Sequence, residues 1–360
     1  MTGSIRLARI FGIDIDIHIT FFLLLAFFFM VMGASGLILI LGVFFFVTMH
    51  ELCHSVVAMR FGIKVKRITL LPIGGIASMS EMPTKPYQEF LISIAGPLSN
   101  IAVVVIFFYP LYVFLGPEKL FYPLKVMAGT AKSAEPLNTL AHIYWINLIL
   151  AVFNIIPAFP MDGGRVLRSI LANRMSYREA TRIAVRLGHI FALVFGYLGI
   201  VHGQIFLLLV AVFIYFSAST EGMQVDVQET IKKYTVKDVL YADPVSLEPG
   251  TSLSKILEFM LHRHQENFPV MMGDEIIGLV TKREVLLGLH ERDKDATAEE
   301  IMRKDVPAID LSGDLYTAQK MMQTNSTPAL PVVSKGKLVG LIAIDDISRI
   351  YMIENETGRG

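Results

Sequence analysis

The chain has 360 residues, 53% of them hydrophobic, with a formal net charge of zero and a mean hydropathy of +0.55. So apolar a balance excludes an ordinary soluble globule, and neutrality argues against a nucleic-acid partner. The single cysteine, Cys53, excludes an intrachain disulfide. Apolar residues gather before about residue 220, which predicts a membrane domain over 1–220, a linker at 221–234, a soluble domain over 235–354 and a tail at 355–360.

No small-residue cleavage site follows Arg6 and Arg9, so no cleavable signal is expected. Residues 10–19, IFGIDIDIHI, alternate with period two and predict a strand. Asp14, Asp16 and His18 then share one face, the aspartates read as solvated and the histidine as a polar residue at the membrane interface. Six apolar stretches long enough, or nearly so, to cross a bilayer follow, at about 19–34, 36–60, 88–115, 137–158, 183–201 and 204–220. Between the second and third, KVKRITLLPIGGIASM (64–79) is strand-like but broken by Pro72 and Gly74-Gly75. It predicts a hairpin or loop at the cytoplasmic face, able to pair with 10–19 and to hold an extended peptide at its edge. Lys and Arg flank the second span and fill the segment between the fourth and fifth, from Arg165 to Arg186. That bias predicts a multi-pass protein of the cell membrane with both termini cytoplasmic.

Within the second span lies His50-Glu51-Leu52-Cys53-His54. Residues i and i+4 of a helix share a face, so His50 and His54 can grip one metal ion. Glu51 stands beside them as general base for a water that the metal activates. Two imidazoles and a carboxylate deep in an apolar helix cost several kcal/mol, on the order of 2–3 for a charge alone, unless function compensates. A third ligand is expected from His142, His189 or Asp162, and Asp162 is preferred. It follows a segment broken by Pro157 and Pro160, and Gly163-Gly164 allow unusual backbone angles; irregular backbone at membrane depth is tolerated around a cavity. The competing reading has Asp162 capping the helix that starts there. Cys53 points away from the histidine face, Asn147 reads as a helix–helix hydrogen bonder, and Gly96-Pro97 with Asn100 read as shaping the third span.

FVTMHELCHS, GGIASM (74–79), AGPLSN (95–100) and NLILAVFNIIPAFPMDGGR (147–165) together resemble the site-2 proteases, intramembrane zinc metalloproteases, of the microbial subgroup with a C-terminal CBS pair. The resemblance covers essentially the whole chain. It implies His50, His54 and Asp162 as ligands of one zinc ion per chain and Glu51 as catalytic base. It also implies Asn154 as a contact to substrate or to the developing oxyanion. The substrate it implies is another protein's transmembrane segment, typically of a membrane-bound regulator.

Residues 235–350 repeat with an offset of 62 and no gap, as in Thr235/Thr297, Leu253/Leu315, Met260/Met322 and Gly278/Gly340. Each copy, 235–291 and 297–353, resembles a CBS motif, and two copies resemble a CBS pair. The fold expected is therefore a polytopic α-helical membrane domain with short membrane-face strands, plus a soluble α/β CBS pair. The resemblance implies an adenine nucleotide held by a Thr or Ser and an Asp after each glycine. Thr281 and Asp346 keep that pattern, whereas Glu284 is longer and Ala343 lacks a hydroxyl. CBS pairs also imply a face-to-face homodimer. Two alternatives to proteolysis are a CBS-gated cation transporter using the His/Asp cluster and an inactive relative acting as a sensor. Transport has no need of Glu51 at this spacing, and the spans show no inverted repeat.

Overall fold

The computed structural model describes residues 3–79, 83, 85–127, 139–263, 265–291 and 296–356. The expected start of the fourth span at 137–138 and tail residues 357–360 lie outside them. The chain divides into two compact units, Met1–Met223 and Gln224–Gly360.

The first unit opens with a four-stranded sheet, β1 (Ser4–Ile10), β2 (Ile13–His18), β3 (Val65–Leu71) and β4 (Gly74–Met79), in that order. The strand expected over 10–19 is thus the second arm of a hairpin. Phe11 and Gly12 take positive φ (51° and 82°), and a two-residue turn of that hand matches the twist of the flanking strands. The pairing expected with 64–79 is present: β2 runs parallel to β3, and β3 antiparallel to β4, leaving β4 as a sheet edge. The aspartates of β2 are not simply solvated. Asp14 pairs with Arg6 at 2.7 Å, and the buried Asp16 faces Arg67 at 3.6 Å. His18 accepts the backbone N–H of Thr20 and so closes the start of the first helix.

That helix, α1 (Thr20–Arg60), is broken at Gly33, whose φ of 62° and ψ of −146° no helix contains. The rings of Phe21 and Phe44 nevertheless touch, with centroids 4.6 Å apart. Along one straight helix they would stand roughly 34 Å apart, so α1 is an antiparallel hairpin of two apolar segments. Its members pack on the sheet through Ile13, Phe21, Ile40, Phe44, Ile68 and Leu70. There follow α2 (Pro86–Leu120), α3 (Tyr122–Met127), α4 (Thr139–Ile155), α5 (Asp162–Leu171), α6 (Tyr177–Val201) and α7 (Ile205–Ile231). Among the described residues four helices, α1, the α2–α3 stretch, α6 and α7, are long and apolar enough to cross a membrane, and α4 is a shorter apolar helix.

The second unit is the repeat folded. It comprises β5 (Tyr241–Ala242), α8 (Leu253–Arg263), β6 (Asn267–Met272), β7 (Glu275–Thr281), α9 (Lys282–Glu291), α10 (Ala298–Ile301), β8 (Ile309–Asp310), α11 (Leu315–Thr324), β9 (Ala329–Ser334), β10 (Lys337–Ala343) and α12 (Ile344–Glu356). The offset of 62 maps one core onto the other: Leu247, Leu253, Phe268, Val270 and Val280 answer Ile309, Leu315, Leu330, Val332 and Ile342. Each copy also lends its leading segment to the other. Tyr241 pairs with Leu341 of β10, and Arg303 exchanges two backbone hydrogen bonds with Leu279 of β7. The repeated glycines serve this exchange. A β-carbon on Gly278 would sit 2.8 Å from the Arg303 carbonyl, and one on Gly340 would sit 2.6 Å from that of Tyr241. Thr235 and Thr297 open their copies alike, each donating backbone N–H and hydroxyl to a carboxylate three residues on, Asp238 and Glu300. Hydrogen bonds from the Thr235 backbone, then its hydroxyl, hold the Asp238 carboxyl below the usual range. The expected linker is largely helical, since α7 continues to Ile231 and both Val227 and Ile231 join the second copy's core.

Candidate metal centre

His50 and His54 sit one turn apart on the second arm of α1, with ring centroids 4.6 Å apart and planes nearly perpendicular. Asp162 comes from the N-terminal turn of α5, a separation of 112 residues from His50. The two Nε2 atoms lie 3.0 Å apart, and Oδ2 of Asp162 lies 3.1 Å from that of His50 and 3.2 Å from that of His54. Zinc bonds of 2.0–2.2 Å in a tetrahedron put neighbouring donors roughly 3.3 Å apart. The triangle therefore fits a tetrahedral ion with one position left open.

The far sides of the rings reinforce the fit. His54 Nδ1 donates to the Ile92 carbonyl at 2.6 Å, and His50 Nδ1 donates to Asn100 Oδ1 at 2.8 Å. With protons on both Nδ1 atoms, both Nε2 atoms turn bare lone pairs towards a carboxylate oxygen. Three acceptors at van der Waals distance repel unless a cation joins them.

Of the three candidates for the third position, only Asp162 joins the histidines among the described residues. His189 stacks on Tyr215 and bonds Ser219 at 2.9 Å instead. Asp162 does not cap its helix: the cap position is Met161, without a side-chain cap bond. Gly163 and Gly164 are needed for closeness and not for unusual angles, since neither has positive φ. A β-carbon on Gly163 would collide with the carbonyl oxygens of Ile155 and Ile156, and one on Gly164 with Ala158.

Gly96 matters in a way the sequence reading missed. A β-carbon there would stand 2.6 Å from His50 Nε2 and closer still to His54 Nε2, too close for the two rings to keep their places. Gly96→Ala should therefore abolish high-affinity metal binding in protein that still folds, as metal analysis of the purified variant will show.

Glu51, half-buried, faces β4: a β-carbon on Gly75 would lie 2.7 Å from its Cγ and 3.6 Å from its Oε1. The sheet edge thus passes over the expected base. Asn154 ends the last turn of α4, half-buried, and its side chain makes no hydrogen bond among the described residues. Behind α5 lies a second cluster unseen in the sequence. Arg168, counted there among flanking charges, is only 1% exposed. It binds Glu89 of α2 through Nε at 2.8 Å and Glu221 of α7 at 3.0 Å, between the rings of Phe159 and Tyr177.

In the second unit, Thr281 donates its hydroxyl to Glu284, and Asp346 accepts the Ala343 backbone N–H at 3.0 Å, so both carboxylates begin by capping their own helices. Thr281 lines a cleft of about 500 Å³ with Lys282, Arg283 and His290. Asp346 lines another of about 340 Å³ with Tyr241, Gln265 and Arg349. Glu284 borders neither.

Residues 38–195 match the model of peptidase family M50, and residues 236–291 and 298–353 match the CBS domain. A zinc metalloprotease of Methanocaldococcus jannaschii is 35% identical over 98% of this chain and 97% of its own length. A solved site-2 protease from the same organism is 37% identical, with a TM-score of 0.44, over 61% of this chain and 95% of that one. The chain belongs to peptidase family M50, zinc metalloproteases of the site-2 type, and carries a C-terminal CBS pair. Membership decides against the transporter alternative.

Proposed function

We propose that the chain hydrolyses a peptide bond in or near the transmembrane segment of a membrane-anchored, regulatory protein, with His50, His54 and Asp162 holding one zinc ion. The observation that carries this is the convergence of two Nε2 lone pairs and one carboxylate oxygen beside Glu51. Zinc held there supplies Lewis acidity that makes water nucleophilic near neutral pH. Glu51 takes the proton from the attacking water and hands it to the departing amine. Asn154, whose side chain has no hydrogen-bond partner among the described residues, donates to the oxygen that gains charge as the carbonyl is attacked. A helical substrate hides its carbonyls, so it must be drawn out. The free edge of β4 offers backbone partners for an extended segment, and Gly75 brings that segment against Glu51 without an intervening side chain.

In this reading the protease domain, 1–220, crosses the cell membrane six times, the two arms of α1 counting separately, with both termini cytoplasmic. The CBS pair, 235–354, takes an adenine nucleotide and joins a second copy. Exposed Leu286, Leu287 and Leu289 on α9 and Met352 on α12 support that pairing, which light scattering on purified protein reads directly.

Zinc analysis of detergent-purified protein tests the centre. About one zinc per chain is expected in the wild type, and His54→Ala and Asp162→Ala should lose most of it, since each removes one of three ligands. A wild type without zinc, or an Asp162→Ala protein that keeps it, overturns the assignment. For the second unit, ATP titration of the full chain should show binding weakened about 5–10-fold by Thr281→Val, the worth of one hydrogen bond, and likewise by Asp346→Asn. Wild-type protein that ignores ATP would leave the CBS pair a dimerising module.

A further inference from the structure

The two histidines are held by unlike means. His54 donates straight to a main-chain carbonyl, that of Ile92. His50 donates to a side-chain amide, and an amide can turn round. A flipped Asn100 would present its NH₂ to His50 Nδ1, demand a lone pair there, and send the ring proton to Nε2, where the metal must sit. One rotation of one amide therefore separates a ring that binds metal from one that excludes it.

The orientation of Asn100 is set by a further amide. Asn100 Nδ2 donates to Asn147 Oδ1 at 3.2 Å, and Asn147 Nδ2 donates to the Ile143 carbonyl at 3.0 Å. A carbonyl only accepts, so Asn147 must turn its nitrogen to Ile143 and its oxygen to Asn100. Asn100 must then turn its nitrogen to Asn147 and its oxygen to His50. Reversing the chain would set two oxygens face to face 3.0 Å apart at Ile143. Both amides are sealed from water, at 0% and 2% exposure, so no solvent satisfies a wrong orientation. The Ser99 hydroxyl gives its one proton to the Gly96 carbonyl at 2.6 Å, so the orientation of Asn100 rests on the amide chain.

We propose that Asn147 and Asn100 form a directional amide relay, anchored on the Ile143 carbonyl, that fixes the Nδ1–H form of His50 and so holds its Nε2 lone pair on the metal. Both are positioning residues, and Asn147 acts on a ring it does not touch. The inference rests on the reading of His50, His54 and Asp162 as the zinc centre.

The test uses zinc affinity of the full-length detergent-purified chain, measured by competition with a chromophoric chelator. Asn147→Leu should weaken zinc about tenfold or more, the usual cost of losing an outer-shell partner. Asn100→Asp provides the control that a mere packing role would not move: its two oxygens are both acceptors, so it needs no orienting partner. Asn147→Leu added to Asn100→Asp should therefore cost nothing further. The same loss from Asn147→Leu in both backgrounds, or wild-type affinity in the single variant, overturns the relay. Should Asn147→Leu fold poorly, as melting of the metal-free protein will show, Asn147→Ala gives the same comparison with less volume. His54→Ala in the same assay separates the two ideas. Zinc lost there but kept in Asn147→Leu sinks the relay alone, whereas a wild type without zinc sinks both.

Discussion

Glu51→Gln protein should retain its zinc and cut a single-span membrane substrate about 10²–10⁴-fold more slowly than wild type. The amide has the carboxylate's size, so the contact with Gly75 and the packing of β4 survive. Glu51 is not one of the three converging donors, so removing its charge leaves the metal triangle intact. What Gln cannot do is take a proton from water. The pairing of full zinc with lost turnover is the signature of a base, because a ligand variant would lose both. Single-turnover cleavage in proteoliposomes, with zinc measured on the same sample, decides the matter. Undiminished cleavage would falsify the role given to Glu51.

The largest expected effect on stability lies away from the chemistry. Arg168→Met should destabilise the membrane unit by about 3–5 kcal/mol, because it strands the buried carboxylate of Glu89 beside that of Glu221. Glu89 is 4% exposed, so water cannot take over. The remaining hydroxyl of Tyr177, 3.4 Å from Glu89, is a weak substitute. Arg168→Lys should recover only part of the loss, since one ammonium cannot serve two carboxylates and two ring faces as a planar guanidinium does. Adding Glu89→Gln to Arg168→Met should restore stability in part by removing the stranded charge. Thermal melting in detergent reads all three, and an Arg168→Met protein that melts with the wild type would show the cluster to be solvated. Since Asp162 and Arg168 share the short helix α5, lost stability here is also expected to loosen the carboxylate of Asp162.

What could be read in the sequence was what rests on short range or on exact repetition. His50 and His54 share a helix face by spacing alone, with Glu51 between them, and no fold is needed to see it. The offset of 62 survives because each repeat must rebuild the same core, from Leu253 and Leu315 to Val270 and Val332. The alternation at 10–19 found a strand but not the Phe11–Gly12 turn that splits it, since a positive-φ phenylalanine carries no pattern signal. Gly163-Gly164 and Gly278/Gly340 were visible as glycines. Their reason was not, because it lies in what presses on them: the carbonyls of Ile155 and Ile156 in one case, an exchanged strand in the other.

Tertiary structure alone decided which polar residues in apolar helices meet. In the sequence, Asn147 was a helix–helix hydrogen bonder without a named partner, Asn100 a shaper of the third span and Arg168 a flanking charge, because exposure and pairing depend on elements 47 to 79 residues apart. Membrane helices are apolar on nearly every face, so their sequences lack the periodic stripe that tells a buried face from a lipid-facing one. The local spacing placed two imidazoles on one helix face with a carboxylate between them. The packing of α1, α2, α4 and α5 determined which carboxylate meets them, the glycine that leaves room between them, and the hydrogen bonds that aim the rings. Those choices are settled by contacts between distant segments, and no local pattern in the chain records them.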